Sequence, residues 1–319
     1  MQEKSKSKAI STGSSNRRRF LRKVRKKRLK YIAVLPSLIT LLNCVFGFAS
    51  MCLASKGFQD GEPMFRLHDL EFTNLGLAGL MIFIAMIMDV LDGRVARMSQ
   101  TTSSFGGQLD SLSDIVSFGI APAFLMWQFL KHEFENAVTL PAMGESLFFR
   151  FIWFSAAIYL ACTAIRLARF NVENEEDESA HMYFVGIPSP AAAGVLTSLI
   201  VFQQRLFLNP GPDSILSQVF EVTVSYTLPL IAIGLGILMI SRIKYPHLLN
   251  LIFKGQKPVV TLIWCVGIIA MIFVSLSISL VVSFCGFAMY SLLSSMKNRK
   301  NKWIRKPIIT QSEKTESEK

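Results

Sequence analysis

The chain has 319 residues, with 34 Lys and Arg against 22 Asp and Glu and a formal net charge of +12. Hydrophobic residues make up 51% and charged residues 18%, a balance that excludes both an ordinary soluble domain and a disordered chain. The apolar residues fall in blocks of about 18 to 25, the length that crosses a hydrocarbon core of about 30 Å, so an all-α polytopic membrane protein is expected.

Residues 1–30 form a polybasic segment ending RRRFLRKVRKKRLK, with thirteen Lys or Arg and one acidic residue, Glu3. It suits a disordered tail with a short interfacial helix on anionic lipid. Nucleic acid is not expected as a partner, because no aromatic platform or fold signature accompanies the charge. The first apolar block begins near Tyr31 with no small-residue cleavage site after it, so no secretory signal is expected. Spans are predicted at about 31–54, 75–98, 106–130, 148–171, 186–204, 223–241, 258–275 and 278–296. The last two share one apolar run from Val259 to Ser295. A single helix of that length would be about 55 Å long, so a break near Ser277 is expected.

Orientation follows from the basic residues. With the N-terminus cytoplasmic, eight spans leave 29 Lys and Arg on the cytoplasmic side and 5 outside. Both termini are then cytoplasmic. The five cysteines form no CxxC pair and the four histidines show no ligand spacing, so neither set is assigned chemistry. No internal repeat is evident, which counts against an inverted-repeat transporter.

The informative stretch is MDVLDGRVARMSQTTSSFGGQLDSLSDIVSFG. Asp89 and Asp92 lie at i and i+3 near one end of the second span, and Asp110 and Asp114 at i and i+4 near the start of the third. Each pair shares a helix face, and the short turn between the spans makes them antiparallel neighbours. A carboxylate facing lipid is costly, so inward-facing pairs are expected. Four facing carboxylates repel one another and call for a cation. Hard oxygen ligands suit Mg²⁺ or Mn²⁺, and four carboxylates suffice for two ions that clamp a diphosphate. Gly93 and Ala96 leave room for a substrate, and Arg97 can pair with phosphate. Helix capping could explain one or two of these acids, and an ion pathway also uses intramembrane acids.

Asp89, Asp92, Gly93, Ala96, Arg97, Gly106, Asp110 and Asp114 together read DxxDGxxARx₈GxxxDxxxD. This resembles the signature of the CDP-alcohol phosphatidyltransferase family, with every fixed position filled. The resemblance implies a six-helix core, usually dimeric, around a cytoplasm-facing polar cavity that holds a CDP-linked lipid and a pair of divalent ions. It implies metal ligation by Asp89, Asp92 and Asp110, and a general-base role for Asp114, which would also touch a metal. Gly93, Ala96, Arg97 and Gly106 would line the site for the cytidine diphosphate group. A catalytic core at 31–247 would follow the basic tail, with two further helices at 248–296 and a polar tail at 297–319.

Three other stretches bear on the acceptor. Pro36, Thr40, Asn43 and Gly47 make one stripe on the first span, serving either helix packing or, through Thr40 and Asn43, the nucleotide. Arg166 and Arg169 end the fourth span, as positive-inside anchors or as ligands for the acceptor's carboxylate or phosphate. Pro188 and Pro190 begin the fifth, either as a helix start or as the wall of an acceptor pocket. LARFN, GIPSPAAAG and SRIKYPH are similar to the bacterial integral-membrane branch of the family that uses serine. That similarity implies CDP-diacylglycerol and L-serine as substrates, a homodimer, and the inner (cytoplasmic) membrane. Glycerol phosphate, inositol phosphate or choline are the alternative acceptors, and an ion-coupled transporter is the alternative outside the family.

Overall fold

The computed structural model describes residues 36–57, 65–67, 70–99, 104–137, 142–176, 184–208, 214–241, 244–245 and 275–304. The basic segment 1–30, the span expected at 258–275 up to residue 274, and the tail beyond 304 lie outside the described residues. Among the described residues, five helices are long and apolar enough to cross a membrane: Pro36–Ser55, Asn74–Val95, Phe105–Phe134, Leu147–Val172 and Val222–Ile240. They match five of the expected spans, and the protein is an all-α polytopic membrane protein. Large apolar side chains such as Phe48, Ile87, Trp153 and Ile237 stand exposed on the outer helix faces, as lipid contact requires.

Helix α1 is described over Pro36–Ser55. A short antiparallel ladder follows, β1 (Phe65–Leu67) against β2 (Leu70–Phe72), with Arg66 opposite Glu71. Helix α2 is Asn74–Ser99, started by Thr73, whose Oγ1 accepts from the Gly76 N–H at 3.0 Å. The third span is a composite of α3 (Ser104–Asp114), a π-helical turn (Ile115–Ile120) and α4 (Ala121–Ala137). Helix α5, Ala142–Glu176, has 35 residues and runs about 52 Å, well beyond one bilayer core.

Helix α6, Ser189–Leu208, is the centre of the bundle. Every residue from Ala191 to Ser198 is buried, and the helix packs against α2, α4, α7 (Ser214–Ile240) and α8 (Leu276–Ile304). Small residues permit this: a Cβ on Gly194 would lie 2.2 Å from the Phe284 ring of α8. Pro229 interrupts the ladder of α7, a break that transmembrane helices tolerate when neighbours enclose it. Helix α8 starts at Leu276, close to the break expected near Ser277, and the Ser275 carbonyl accepts from the Ser279 N–H at 3.1 Å at its start.

The entry to α6 is fixed by a second ladder, β3 (Phe184–Val185) against β4 (Lys244–Tyr245), which joins the stretch before GIPSP to the one after α7. Between β3 and α6 the Ile187 N–H donates to Leu238 O at 3.2 Å. Gly186 makes the turn with φ +83, and a Cβ there would lie 2.3 Å from Met239 O. Both the backbone region and the space exclude a side chain. Gly186→Ala is expected to cost about 2–3 kcal/mol, read as a fall of several degrees in the thermal midpoint of the detergent-purified protein.

Candidate functional site

Asp89 lies on α2, and Asp110 and Asp114 on α3. Their carboxylate oxygens converge, one from each residue, all within 4.8 Å of one another. Two ionised carboxylates at that separation repel by roughly 3 kcal/mol at an effective dielectric near 20. A divalent cation removes that repulsion, and an all-oxygen donor set fits Mg²⁺ or Mn²⁺. The residues present therefore fit a metal site.

The four aspartates do not form one group. Asp92 is buried, and its carboxylate instead takes a hydrogen bond from Thr40 on α1. Residues at i and i+3 share a face but still differ by about 60° around the axis, enough for α1 to meet Asp92 while Asp89 faces the cluster. The other oxygen, Asp92 Oδ1, is buried with no partner among the described residues. A buried anionic oxygen without a donor is costly, so this atom keeps Asp92 compatible with a cation.

Helix α1 is the third wall. Its buried positions, Pro36, Thr40, Asn43, Gly47, Ser50 and Ala54, contain the stripe read from the sequence and extend it by two turns. Asn43 Nδ2 donates to Asp114 Oδ1 at 3.3 Å. Ser113 and Ser117 donate to the Thr40 and Asn43 carbonyls, each at 2.8 Å. The helices come this close because Gly47 has no side chain: a Cβ there would sit 2.8 Å from Ser117 Cα. The π turn that follows Asp114 is held by Tyr159 of α5, fully buried, which donates to Phe118 O at 2.9 Å. Such turns interrupt the ordinary ladder, and here side chains supply the missing rigidity. Thr40 and Asn43 thus bond the aspartates themselves. Packing and function meet in the same two side chains.

A cavity of about 360 Å³ opens beside the cluster, its wall including Asp89, Asp110, Asp114, Arg166, Asn171 and Ser189. Arg166 reaches it from α5, and its Nη1 donates to Ser189 Oγ at 2.7 Å, while Nε has no partner among the described residues. Pro188 and Pro190 line the same wall, so the turn set by Gly186 shapes the cavity as well as starting α6. Arg169 and Gly106 are not on the described wall, whereas Gly107 is. Gly93 is exposed, with open space around a notional Cβ. Ala96 and Arg97 belong to α2, and their side chains lie outside the described residues. Sequence reading missed Ser111, Ser113, Ser117, Asn171 and Ser189. The signal for two of them is spacing, since Asp110, Ser113, Asp114 and Ser117 repeat at helical intervals along the third span.

The family model for CDP-alcohol phosphatidyltransferase matches residues 33–238. The chain belongs to the CDP-alcohol phosphatidyltransferase family. Its match runs from α1 to near the end of α7 and takes in every residue of the cavity wall. A CDP-diacylglycerol–serine O-phosphatidyltransferase of Methanocaldococcus jannaschii is 32% identical over 225 residues, covering 70% of this chain and 80% of that protein. The protein of that name from Helicobacter pylori is 30% identical over 206 residues, 65% and 74% of the two chains. An archaetidylserine synthase of Methanothermobacter thermautotrophicus is 30% identical over 224 residues, 69% and 73%. The family is divalent-metal dependent, in keeping with the carboxylate cluster.

Proposed function

We propose that the protein is a phosphatidylserine synthase, transferring the phosphatidyl group of CDP-diacylglycerol to the hydroxyl of L-serine with release of CMP. The observation that carries this reading is the joint placement of three converging aspartates and one arginine, Arg166, on a single cavity wall. Relatives whose names specify serine point to the acceptor.

In this reading Asp89, Asp92, Asp110 and Asp114 hold two ions, Mg²⁺ or Mn²⁺. When bound, they supply positive charge against the diphosphate. Asp114 accepts the proton of the serine hydroxyl. The serine oxygen forms the new P–O bond at the lipid-side phosphorus, and the bond to the CMP phosphate breaks, the electron pair leaving with CMP. Asn43, donating to Asp114 Oδ1, orients that carboxylate. Gly93, Ala96 and Arg97 accommodate the cytidine diphosphate group, alongside Gly106 and Thr40. Arg166, steadied by Ser189, takes the serine carboxylate through charge-assisted bonds. Arg169, three residues on, anchors the end of the membrane span within α5.

The catalytic core runs over 31–247, with 248–296 as two added spans. The excess of Lys and Arg in the segments read as cytoplasmic supports putting both termini and the cavity on the cytoplasmic side of the inner (cytoplasmic) membrane, and in this reading the protein acts as a homodimer. Purified protein given CDP-diacylglycerol and, separately, serine, glycerol phosphate, inositol phosphate or choline tests the reading. CMP release with phosphatidylserine as the lipid product is expected with serine alone. A lipid product with another alcohol and none with serine would replace the acceptor.

A further inference from the structure

Serine carries a second charge that nothing above accounts for. Once Arg166 takes the carboxylate, the ammonium group must still find acceptors, and it must find them away from the guanidinium. The cavity wall offers one place. Ser111 on α3 and Asn171 on α5 both line it, and they meet across it. Asn171 Nδ2 lies 2.9 Å from Ser111 Oγ, and Ser111 Oγ lies 3.0 Å from Asn171 Oδ1 and 3.1 Å from Gly107 O.

Counting protons shows what this pair presents. The Ser111 hydroxyl has one proton and two acceptors within reach, Gly107 O and Asn171 Oδ1. The amide nitrogen and oxygen both lie near one hydroxyl oxygen, so one of these two contacts is a hydrogen bond at a time. When Ser111 donates to Gly107 O within its own helix, Asn171 Nδ2 donates to Ser111 Oγ. Asn171 Oδ1 then has no donor among the described residues, and Ser111 Oγ keeps a lone pair. Two neutral acceptors are left on a wall whose other polar groups include the aspartates and Arg166. Neutral acceptors suit an ammonium here because they leave the aspartates to the divalent ions.

Arg166 and the Ser111–Asn171 pair line the same cavity, so an amino acid that gives its carboxylate to the guanidinium can turn its ammonium toward the two neutral acceptors. Ser111 is also one helical turn from Asp114, so a substrate held at both ends brings its hydroxyl toward that carboxylate.

We propose that Ser111 and Asn171 form the ammonium subsite of the acceptor pocket, which makes the site selective for an amino-acid zwitterion over a simple hydroxy acid. This rests on the serine reading above. The test compares L-serine with 3-hydroxypropionate, which keeps the hydroxyl and carboxylate and lacks the amino group. The KM for serine is measured alongside the Ki of 3-hydroxypropionate as a competitor of serine. In the unaltered enzyme the Ki is expected to exceed the KM by at least tenfold. Asn171→Leu, of similar shape and without an acceptor, is expected to raise the serine KM at least tenfold. It should leave the Ki within about twofold, and the KM for CDP-diacylglycerol unchanged. Asn171→Asp, which keeps the acceptor and loses the donor, should hold the unaltered ratio.

An unchanged ratio in Asn171→Leu overturns the proposal, as does an Asn171→Asp that behaves like Asn171→Leu. Where Asn171→Leu does not purify folded, Ser111→Ala removes the other acceptor and is held to the same ratio. Failure of the unaltered enzyme to make phosphatidylserine would be a separate result. It would remove the serine reading itself and this subsite with it.

Discussion

Asp114→Asn is expected to lower turnover by about 10²–10⁴-fold, the range a positioned general base supplies. Binding of CDP-diacylglycerol is expected to stay within a few-fold. The asymmetry comes from geometry. The amide introduced by Asp114→Asn still offers an oxygen to Asn43 Nδ2, so the bond that ties α1 to α3 at 3.3 Å survives. Ser113 and Ser117, on either side, keep their bonds to the Thr40 and Asn43 carbonyls. The packing of the three walls is therefore preserved; what is lost is a group able to take the hydroxyl proton together with one anionic ligand, so turnover is compared at saturating Mg²⁺ or Mn²⁺. Steady-state rates of CMP release, with nucleotide-lipid affinity measured separately by equilibrium binding, check this. A variant with full turnover removes Asp114 from the base role. A variant that loses affinity as far as turnover moves Asp114 from proton transfer to binding.

The parts of this site that follow a helical period were legible in the sequence. Asp89 with Asp110 and Asp114, and the stripe Pro36, Thr40, Asn43 and Gly47, lie where a period of 3.6 puts them, because polar groups in a transmembrane bundle must turn inward. The division between Asp89 and Asp92 was not legible. An i, i+3 pair reads as one face, and only the position of α1 decides which member it intercepts. The contacts across the cavity, Arg166 with Ser189 and Ser111 with Asn171, join residues 23 and 60 positions apart. No local pattern encodes a pairing at that distance. The ladder between Phe184–Val185 and Lys244–Tyr245 is two residues long, too short to show the alternation by which strands are read. It is nevertheless what brings GIPSP against the end of α7 and so fixes where Ser189 meets Arg166. The π turn after Asp114 likewise has no sequence period of its own; it becomes intelligible from Tyr159, whose hydroxyl bonds Phe118 O across from α5.

Removing divalent cations is expected to abolish activity, and adding back Mg²⁺ or Mn²⁺ to restore it. A purely structural cluster would not give that result, and stability provides a readout independent of turnover. Without cations, the oxygens of Asp89, Asp110 and Asp114 crowd within 4.8 Å, and Asp92 Oδ1 is buried with no donor among the described residues. A ligand that binds the folded state alone adds about 2.7 kcal/mol at a hundred times its Kd. Saturating Mg²⁺ or Mn²⁺ should therefore raise the thermal midpoint of the chelator-treated protein, whereas Na⁺ at equal ionic strength should not. Asp89→Asn removes one of the converging charges, lowering the repulsion and the affinity together. Its midpoint without metal should match or exceed that of the unaltered protein. The metal concentration for half-maximal activity should rise at least tenfold. If the midpoint responds equally to Na⁺, or if Asp89→Asn leaves the metal requirement unmoved, the three carboxylates are not where the ions bind.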